Sequence, residues 1–464
     1  MKSNSGTVNM TTGDHRKLIL SFALPILFGH LFQQFYNMAD SLIVGNLVGA
    51  QALAAVASTS SLIYLFIGFF MGFSNGSGIV IARAIGLGDR KATGKAVHTA
   101  VCVGIFSSIL LTVGGLLFAP ALLKIMDTPD DIIAQARTYL MIYFGGASGM
   151  VMYNTFTGIL QAGGDSKDPL KYLIISSVIN IVLDFVFIAF FKLDVAGAAI
   201  ATVISQFFSA FLALRKLLTI DDDIRVIPSE IRVDRSVLKD IIRNGMPTAL
   251  QGCVIDLSNV LIQSYINSFG SAAVAGIGAY SRVEGFGFLP VTAFSMALST
   301  YISQNIGAGK PDRVKRGMFF GLAAGVACAQ FIGLGFVFFG RPLIGLFVRD
   351  PEVIEIGCER ARICGTFYFL VAFSHLTSAV MRGIGKPTVP MIVMLVCWCA
   401  IRVLVFMTIG QTWHYLELTH WIYPFTWSLS TIVYLCYMAV LKKKGQLYGP
   451  VGSRSGANEL KGIS

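Results

Sequence analysis

Apolar stretches long enough to cross a lipid bilayer recur along the whole of this 464-residue chain. A hydrocarbon core of about 30 Å takes about 20 helical residues to cross, and the backbone must satisfy its own hydrogen bonds there. Only 13% of the residues are charged, whereas soluble proteins have about 25%. We predict an all-α membrane protein with twelve spans at 17–44, 52–83, 95–121, 132–161, 170–191, 196–218, 238–268, 273–305, 315–340, 353–382, 388–411 and 421–441.

The two halves of the sequence are related to each other. A Leu24-Pro25 pair opens the first long span, and Met246-Pro247 opens the seventh about 220 residues later. Residues 49–57 align with 270–278. Because a repeat of this length contains six spans, it predicts two pseudo-symmetric six-helix bundles with parallel topology.

The domain boundaries follow from this repeat and from one hydrophilic break, which holds the run Asp221-Asp222-Asp223. We predict an amino-terminal segment at 1–16, an N-lobe at 17–218, a linker at 219–237, a C-lobe at 238–441 and a disordered Gly- and Ser-rich tail within 442–464. Lys and Arg fall mostly on alternate connections, which become cytoplasmic if the amino terminus is inside. Both termini are then cytoplasmic in a plasma-membrane protein, and the basic loops contact lipid head groups rather than nucleic acid.

Ionisable residues inside the spans are few, and each costs about 2.5 to 3.5 kcal/mol at mid-bilayer. The acidic residues inside the first-half spans are Asp40 and Asp184, and Asn180 lies one turn before Asp184 on the same helix face. Two carboxylates brought together cannot both stay ionised, so the pair takes up a proton or binds a cation. This pattern favours a cation-coupled switch over a structural role for Asp184, and leaves both readings open for Asp40.

The second half lacks these polar residues at the corresponding positions. Its alignment sets Ile401 against Asn180 and Val405 against Asp184, which confines the carboxylate site to the first lobe. The second half instead keeps four ionisable residues of interest in or near its spans, Asp256, Arg282, Glu284 and Arg402. Glu284 has two readings of equal weight, as a group that attracts a cationic ligand or as an ion-pair partner of an arginine on another helix.

Aromatic and sulfur-containing side chains accompany the acids. An apolar cavity lined by such side chains suits flat lipophilic cations. The candidates to line it are Phe35, Tyr36, Tyr139, Tyr143, Met150 and Tyr153. No spacing among them proves this, and most aromatic residues in such a chain are core or lipid-facing.

One proline interrupts the first helix of each half. Pro25 and Pro247 each remove a backbone donor and free a carbonyl, which allows the helix to kink. We therefore expect these residues to act as hinges.

Several function classes are excluded by what the motifs lack. The Gly-rich strings have no Lys-Ser or Lys-Thr ending, so a P-loop and ATP hydrolysis are not expected. The Cys and His residues have no metal-site spacing, and no nucleophile constellation is recognisable. We expect no enzyme and no cofactor, and an ion gradient as the energy source.

Taken together, the motifs resemble a known family. The chain combines Leu24-Pro25 with the strings at 33–40 and 43–45, the 85–89 loop, the 161–165 turn and the Asn180 to Asp184 segment. Their order and spacing resemble the multidrug and toxic compound extrusion (MATE) family over nearly the whole chain, and most closely its prokaryotic DinF-like branch.

The resemblance implies a monomeric antiporter that exports small organic cations in exchange for H⁺ or Na⁺ by alternating access. By position, it implies a coupling site of Asp40, Asn180 and Asp184, which would hold Na⁺ if that is the ion, with Thr202 as a further ligand. It also implies substrate contacts at Tyr36, Asn154 and Glu284. The alternative is a flippase for lipid-linked sugars, although the first-lobe spans offer almost no Arg or Lys for a pyrophosphate.

Overall fold

The computed structural model describes residues 8–126, 128–412 and 415–449, which form helices and loops without any strand. The six helical spans of the first half are α1 (His15–Leu47), α2 (Ala50–Leu87), α3 (Arg90–Ile125), α4 (Asp130–Gly145 and Ala147–Ala162), α5 (Lys167–Phe185 and Val186–Phe190) and α6 (Asp194–Thr219). Those of the second half are α7 (Arg235–Asn267), α8 (Ser271–Gly287 and Leu289–Gly307), α9 (Pro311–Gly345), α10 (Pro351–Thr366 and Tyr368–Gly383), α11 (Thr388–Met394, Leu395–Ala400 and Ile401–Thr412) and α12 (Glu417–Lys443).

The predicted all-α membrane fold with twelve spans is confirmed. Within the described residues, nine helices are long and apolar enough to cross a membrane, and the two halves of α10, bent by 55°, together make a tenth. The broken α4 and the more polar α7 complete the two sets of six. The predicted disordered tail falls mainly on residues 450–464, outside the described residues.

Two spans contain a π-helical turn. One is Val186–Phe190 at the end of α5, and the other is Leu395–Ala400 inside α11. Such turns are rare and often accompany functional sites, because they change the direction of the neighbouring side chains. Asp184 lies just before the first π turn, and Arg402 lies just after the second.

The repeat is visible in the backbone conformation of the connecting turns. Left-handed glycines occur in pairs separated by 221 residues: Gly49 with Gly270, Gly88 with Gly309, and Gly164 with Gly385. Such φ values are unfavourable for side chains with a Cβ, so the turns themselves require glycine. The two halves therefore share turn geometry as well as apolar pattern.

The chain groups into two compact units. The first unit is Phe28–Ala249 with the residues up to Asn9, and the second is Met10–Leu27 with the chain from Leu250 onward. The unit boundaries fall three residues after Pro25 and three residues after Pro247. The helices α1 and α7 thus contribute to both units, whereas the predicted lobes divide the chain at 219–237.

The linker after α6 is held against α3 in the first unit. The backbone N–H of Ile227 donates to His98 Nε2 at 3.0 Å, and that of Asp234 donates to Thr99 Oγ1 at 3.1 Å. Lys95 Nζ lies 3.4 Å from Asp234 Oδ2. These contacts fix the polar segment as part of the unit, and they give His98 a structural role.

Candidate functional site

The fifth span places an amide and a carboxyl side by side in the interior of the first unit. The residues Asp184 and Asn180 are 0% and 1% exposed, and Thr202 on α6 is 6% exposed. Residues four apart share one face of a helix, and here that face lies against α6. A carboxylate removed from water needs hydrogen-bond donors or a cation.

Asn180 links this carboxyl to the next helix. Its amide nitrogen lies 3.4 Å from Thr202 Oγ1 in one orientation of the amide. The opposite orientation satisfies both neighbours, because Nδ2 then donates to Asp184 Oδ2 at 3.2 Å and Oδ1 accepts from the Thr202 N–H at 3.2 Å. Asn180 therefore fixes Asp184 relative to α6.

A second carboxyl comes from α1. The Asp40 side chain lies within hydrogen-bond contact of the Asp184 carboxyl. On each residue Oδ1 is shielded from solvent and has no hydrogen-bond partner in the part of the chain that the structure describes. Two ionised carboxylates repel at this separation, so the arrangement requires a proton or a cation between them.

Tyrosine rings surround the two acids. The phenol groups of Tyr36 and Tyr139 lie close enough to interact electrostatically with both carboxyls. The ring of Tyr143 stacks on that of Tyr139 with centroids 6.2 Å apart. Its hydroxyl donates to Met150 Sδ at 3.1 Å. Tyr36, Tyr139 and Met150, all predicted as candidates, therefore belong to one cluster with the acids.

Two other predicted residues make structural hydrogen bonds. The Tyr153 hydroxyl donates to the Pro169 carbonyl at 3.2 Å, and this contact ties α4 to α5. The side chain of Asn154 donates to the Met150 carbonyl of its own helix at 2.8 Å. These bonds use the Tyr153 hydroxyl hydrogen and the Asn154 amide nitrogen, and the predicted part of both residues in substrate binding stays a prediction.

One member of the cluster was missed by the sequence reasoning. Tyr64 on α2 lies near the Asp40 carboxyl and near the Tyr143 hydroxyl. The only local signal is that its hydroxyl is the single polar side-chain group in the run 62–66. A tyrosine in an apolar run does not by itself indicate which helix face it occupies.

Glu284 belongs to the second unit, where its neighbours are basic. The carboxyl interacts electrostatically with Arg360 and Arg402, and it lies next to the Tyr280 hydroxyl. Both arginines lie on other helices, but neither forms an ion pair with Glu284 among the described residues, so both readings of Glu284 stay predictions. Arg360, on α10, was not singled out from the sequence.

The chain thus has twelve spans in two related halves, and the first unit buries an acidic pair. This combination defines a polytopic membrane transporter. A sequence model of the MatE family matches residues 25–186 and again 247–408, once in each half. The chain belongs to the multidrug and toxic compound extrusion (MATE) family, as the resemblance predicted. Its assignment to the DinF-like branch stays a prediction.

Known relatives cover most of the chain. It is 30% identical over 399 residues to the probable multidrug resistance protein YpnP of Bacillus subtilis, covering 85% of this chain and 88% of the relative. It is 29% identical over 438 residues to the probable multidrug resistance protein YoeA of the same organism, covering 91% and 93%. A solved outward-facing MATE transporter of the MOP superfamily has the same fold, with a TM-score of 0.87, 22% identity and coverage of 96% and 100%.

Proposed function

We propose that this multi-pass MATE-family transporter is an antiporter that exports lipophilic organic cations by alternating access. Inward movement of H⁺ or Na⁺ supplies the energy. The proposed transporter is a monomer in the plasma membrane. Both of its termini lie in the cytoplasm, as the distribution of Lys and Arg indicates.

The observation that carries this proposal is the contact between the Asp40 and Asp184 carboxyls. Their unpartnered oxygens lie in a buried part of the first unit, where an uncompensated charge is costly. A proton converts one carboxylate into a donor for the other, and Na⁺ coordinates both with the oxygens of Asn180 and Thr202 as further ligands. Either ion changes the net charge of the site by one unit.

This change of charge can drive a conformational cycle. In the proposed cycle, a cation from outside neutralises the pair and α1 bends at Pro25, so that contacts to the substrate weaken. If the transporter changed back without a bound cation, ionised carboxylates would be buried in a low-dielectric interior. This cost disfavours an uncoupled transition. The position of Pro25 and Pro247, three residues before the unit boundaries, supports a hinge at both prolines.

The substrate contacts of the proposal come mainly from the aromatic cluster. The rings of Tyr36 and Tyr139 offer faces for a flat cation, and the thioether of Met150 is adaptable. Tyr153, Asn154 and Glu284 remain proposed substrate residues on the basis of the family resemblance.

The central test measures ethidium efflux from cells that express Asp184→Asn at the wild-type level. We expect efflux at the level of cells without the transporter, because an amide can neither bind the proton nor balance Na⁺. The matched control is Asp256→Asn, which removes an exposed carboxylate on α7 and should retain efflux. Undiminished efflux by Asp184→Asn would refute the coupling role.

The coupling ion is identified in proteoliposomes. Efflux driven by a Na⁺ gradient at clamped pH is compared with efflux driven by a pH gradient in Na⁺-free buffer. Movement of lipid-linked sugar without ion-driven counterflow of ethidium would favour the flippase instead.

A further inference from the structure

The second unit contains two arginines that are almost completely buried. Arg360, in the first helix of α10, is 3% exposed, and Arg402, just after the π turn of α11, is 2% exposed. A guanidinium removed from water needs hydrogen-bond acceptors and negative charge around it. The residues around these two arginines supply only part of the hydrogen-bond acceptors and only part of the negative charge.

A hydrogen bond and aromatic rings orient each guanidinium group, and the ring of Tyr423 is shared by both. Arg360 Nη1 donates to the Thr419 carbonyl at 3.2 Å, and Arg402 Nε donates to Thr426 Oγ1 at 3.0 Å. The guanidinium carbons lie 4.5 Å and 4.2 Å from the ring centre of Tyr423. These contacts hold the two cations close together without neutralising either charge.

Negative charge is scarce around this pair. Neither guanidinium makes an ion pair with a carboxylate among the residues that the structure describes. Glu284 is the carboxylate that interacts electrostatically with both arginines, without direct contact. One carboxylate facing two arginines leaves one positive charge uncompensated.

Several hydrogen-bond donors of the same cluster lack a partner. Arg360 Nε, Arg402 Nη2 and Trp427 Nε1 are buried and have no partner in the described part of the chain. The Trp427 ring lies 5.9 Å from the Tyr423 ring, which contacts both arginines. Arginine and tryptophan can only donate, so only a group that accepts hydrogen bonds can complete them.

We propose that Arg360 and Arg402 bind a small anionic group, either a carboxylate or oxyanion on the transported molecule or a free inorganic anion such as chloride. The anion accepts hydrogen bonds from Arg360 Nε and Arg402 Nη2 and supplies the missing negative charge. Tyr423, which contacts both arginines, and Glu284 are themselves partly exposed.

This inference rests on the proposed function only where it assigns the anion to an exported molecule. In that case the substrates include zwitterions and organic anions in addition to lipophilic cations. A free inorganic anion would instead be a constituent of the second unit.

The test uses two probes that differ in one negative charge, a rhodamine with a free carboxylate and its methyl ester. Their binding to purified protein is measured by fluorescence polarisation without an ion gradient. We expect Arg402→Gln and Arg360→Gln each to weaken binding of the carboxylate probe at least tenfold, with less than a twofold change for the ester. Arg362→Gln is the matched control, since Arg362 is exposed on the same helix as Arg360.

A second measurement distinguishes the two sources of the anion and uses the conservative variant Arg402→Lys as its reference. Chloride is titrated into wild-type protein in a HEPES buffer, and thermal unfolding is followed. If chloride stabilises wild type more than it stabilises Arg402→Lys, and wild type binds both rhodamines equally, the site binds a free anion. Preference for the carboxylate probe assigns it to the substrate.

The proposal is overturned if wild type binds both probes equally and chloride has no such effect. These measurements need no ion gradient, so they are independent of the ethidium efflux assay. If they give this result while ion-driven ethidium efflux is intact, the anion site is refuted and the proposed antiport is not.

Discussion

The fifth and eleventh helices occupy equivalent positions in the repeat but carry opposite charge. In α5 the buried polar residues include Asn180 and Asp184, whereas the corresponding residues of α11 are Ile401 and Val405, and Arg402 follows Ile401. The apolar pattern and the glycine turns of the two halves have stayed alike, since they determine the fold. The charges inside the spans have diverged, because function resides in the site and not in the architecture.

The largest expected effect concerns the acidic side of this comparison. If Asp40 and Asp184 act as one cation site, Asp40→Asn and Asp184→Asn should each reduce ethidium efflux to background. The double variant should be no worse than either single one, because the second substitution removes nothing that still functions.

The measurement is initial efflux rate at matched expression, with the folded fraction checked by size-exclusion chromatography. Partial losses in the two single variants that multiply in the double variant would show that the two carboxyls serve separate sites.

The acidic and basic clusters also differ in how far the sequence revealed them. Asp40 and Asp184 could be predicted because carboxylates in apolar spans are rare and need a partner. Arg360 lies in the more polar start of α10, close to Glu359 and Arg362, where its charge is unremarkable. The sequence does not indicate that Arg360 turns inward while Arg362, two residues later, stays exposed.

The boundaries of the compact units illustrate the same limit. Apolar length predicted all twelve spans, since that property is local to each segment. Where α1 and α7 pass from one unit to the other depends on contacts between residues far apart in sequence. The turn glycines and prolines were visible in the sequence, but the partners of each helix were not.

A charge difference in a connecting turn gives the second prediction. Asp165, after the left-handed Gly164, corresponds to Lys386 after Gly385 in the second half. Burial raises the pKa of Asp165 from 3.8 to about 6, although its carboxylate accepts from the Lys167 and Asp168 N–H groups. The folded state therefore binds this proton more tightly than the unfolded state, and its stabilising contribution is lost as pH rises from about 4 through 6.

Asp165→Asn keeps the capping oxygen and removes the titration. We expect the variant to match wild type near pH 4 and to be more stable at pH 7, by at most about 3 kcal/mol for a shift of two pKa units. Thermal unfolding of detergent-solubilised protein across this range measures the difference. A constant difference at all pH values would contradict the assignment.

The third prediction transfers a residue between the halves. Gly76 on α2 corresponds to the buried Ala297 on α8. A Cβ at Gly76 would lie 2.5 Å from Gly245 Cα on α7, in the same unit. Because backbone cannot yield as a side-chain tip does, Gly76→Ala should destabilise the protein by about 2 kcal/mol.

The matched control for this variant is Gly114→Ala, since a Cβ at Gly114 in α3 meets nothing within 4 Å. Thermal unfolding should show a lower transition temperature for Gly76→Ala and no loss for Gly114→Ala. Equal behaviour of the two variants would mean that α2 and α7 do not approach each other closely.

The smallest expected effect tests the basic side of the comparison. Glu284 supplies part of the negative charge near Arg360 and Arg402, so Glu284→Gln should strengthen binding of the carboxylate rhodamine. Glu284 and the probe carboxylate carry like charges. Removal of the Glu284 charge should therefore raise the affinity for this probe about tenfold, or by about 1.4 kcal/mol, with little change for the ester probe. This is opposite to the result expected if Glu284 binds a cationic substrate, since the variant would then lose affinity for ethidium and leave the carboxylate probe unaffected. Fluorescence polarisation with both probes and ethidium separates the two readings of Glu284, because each predicts a change in a different ligand.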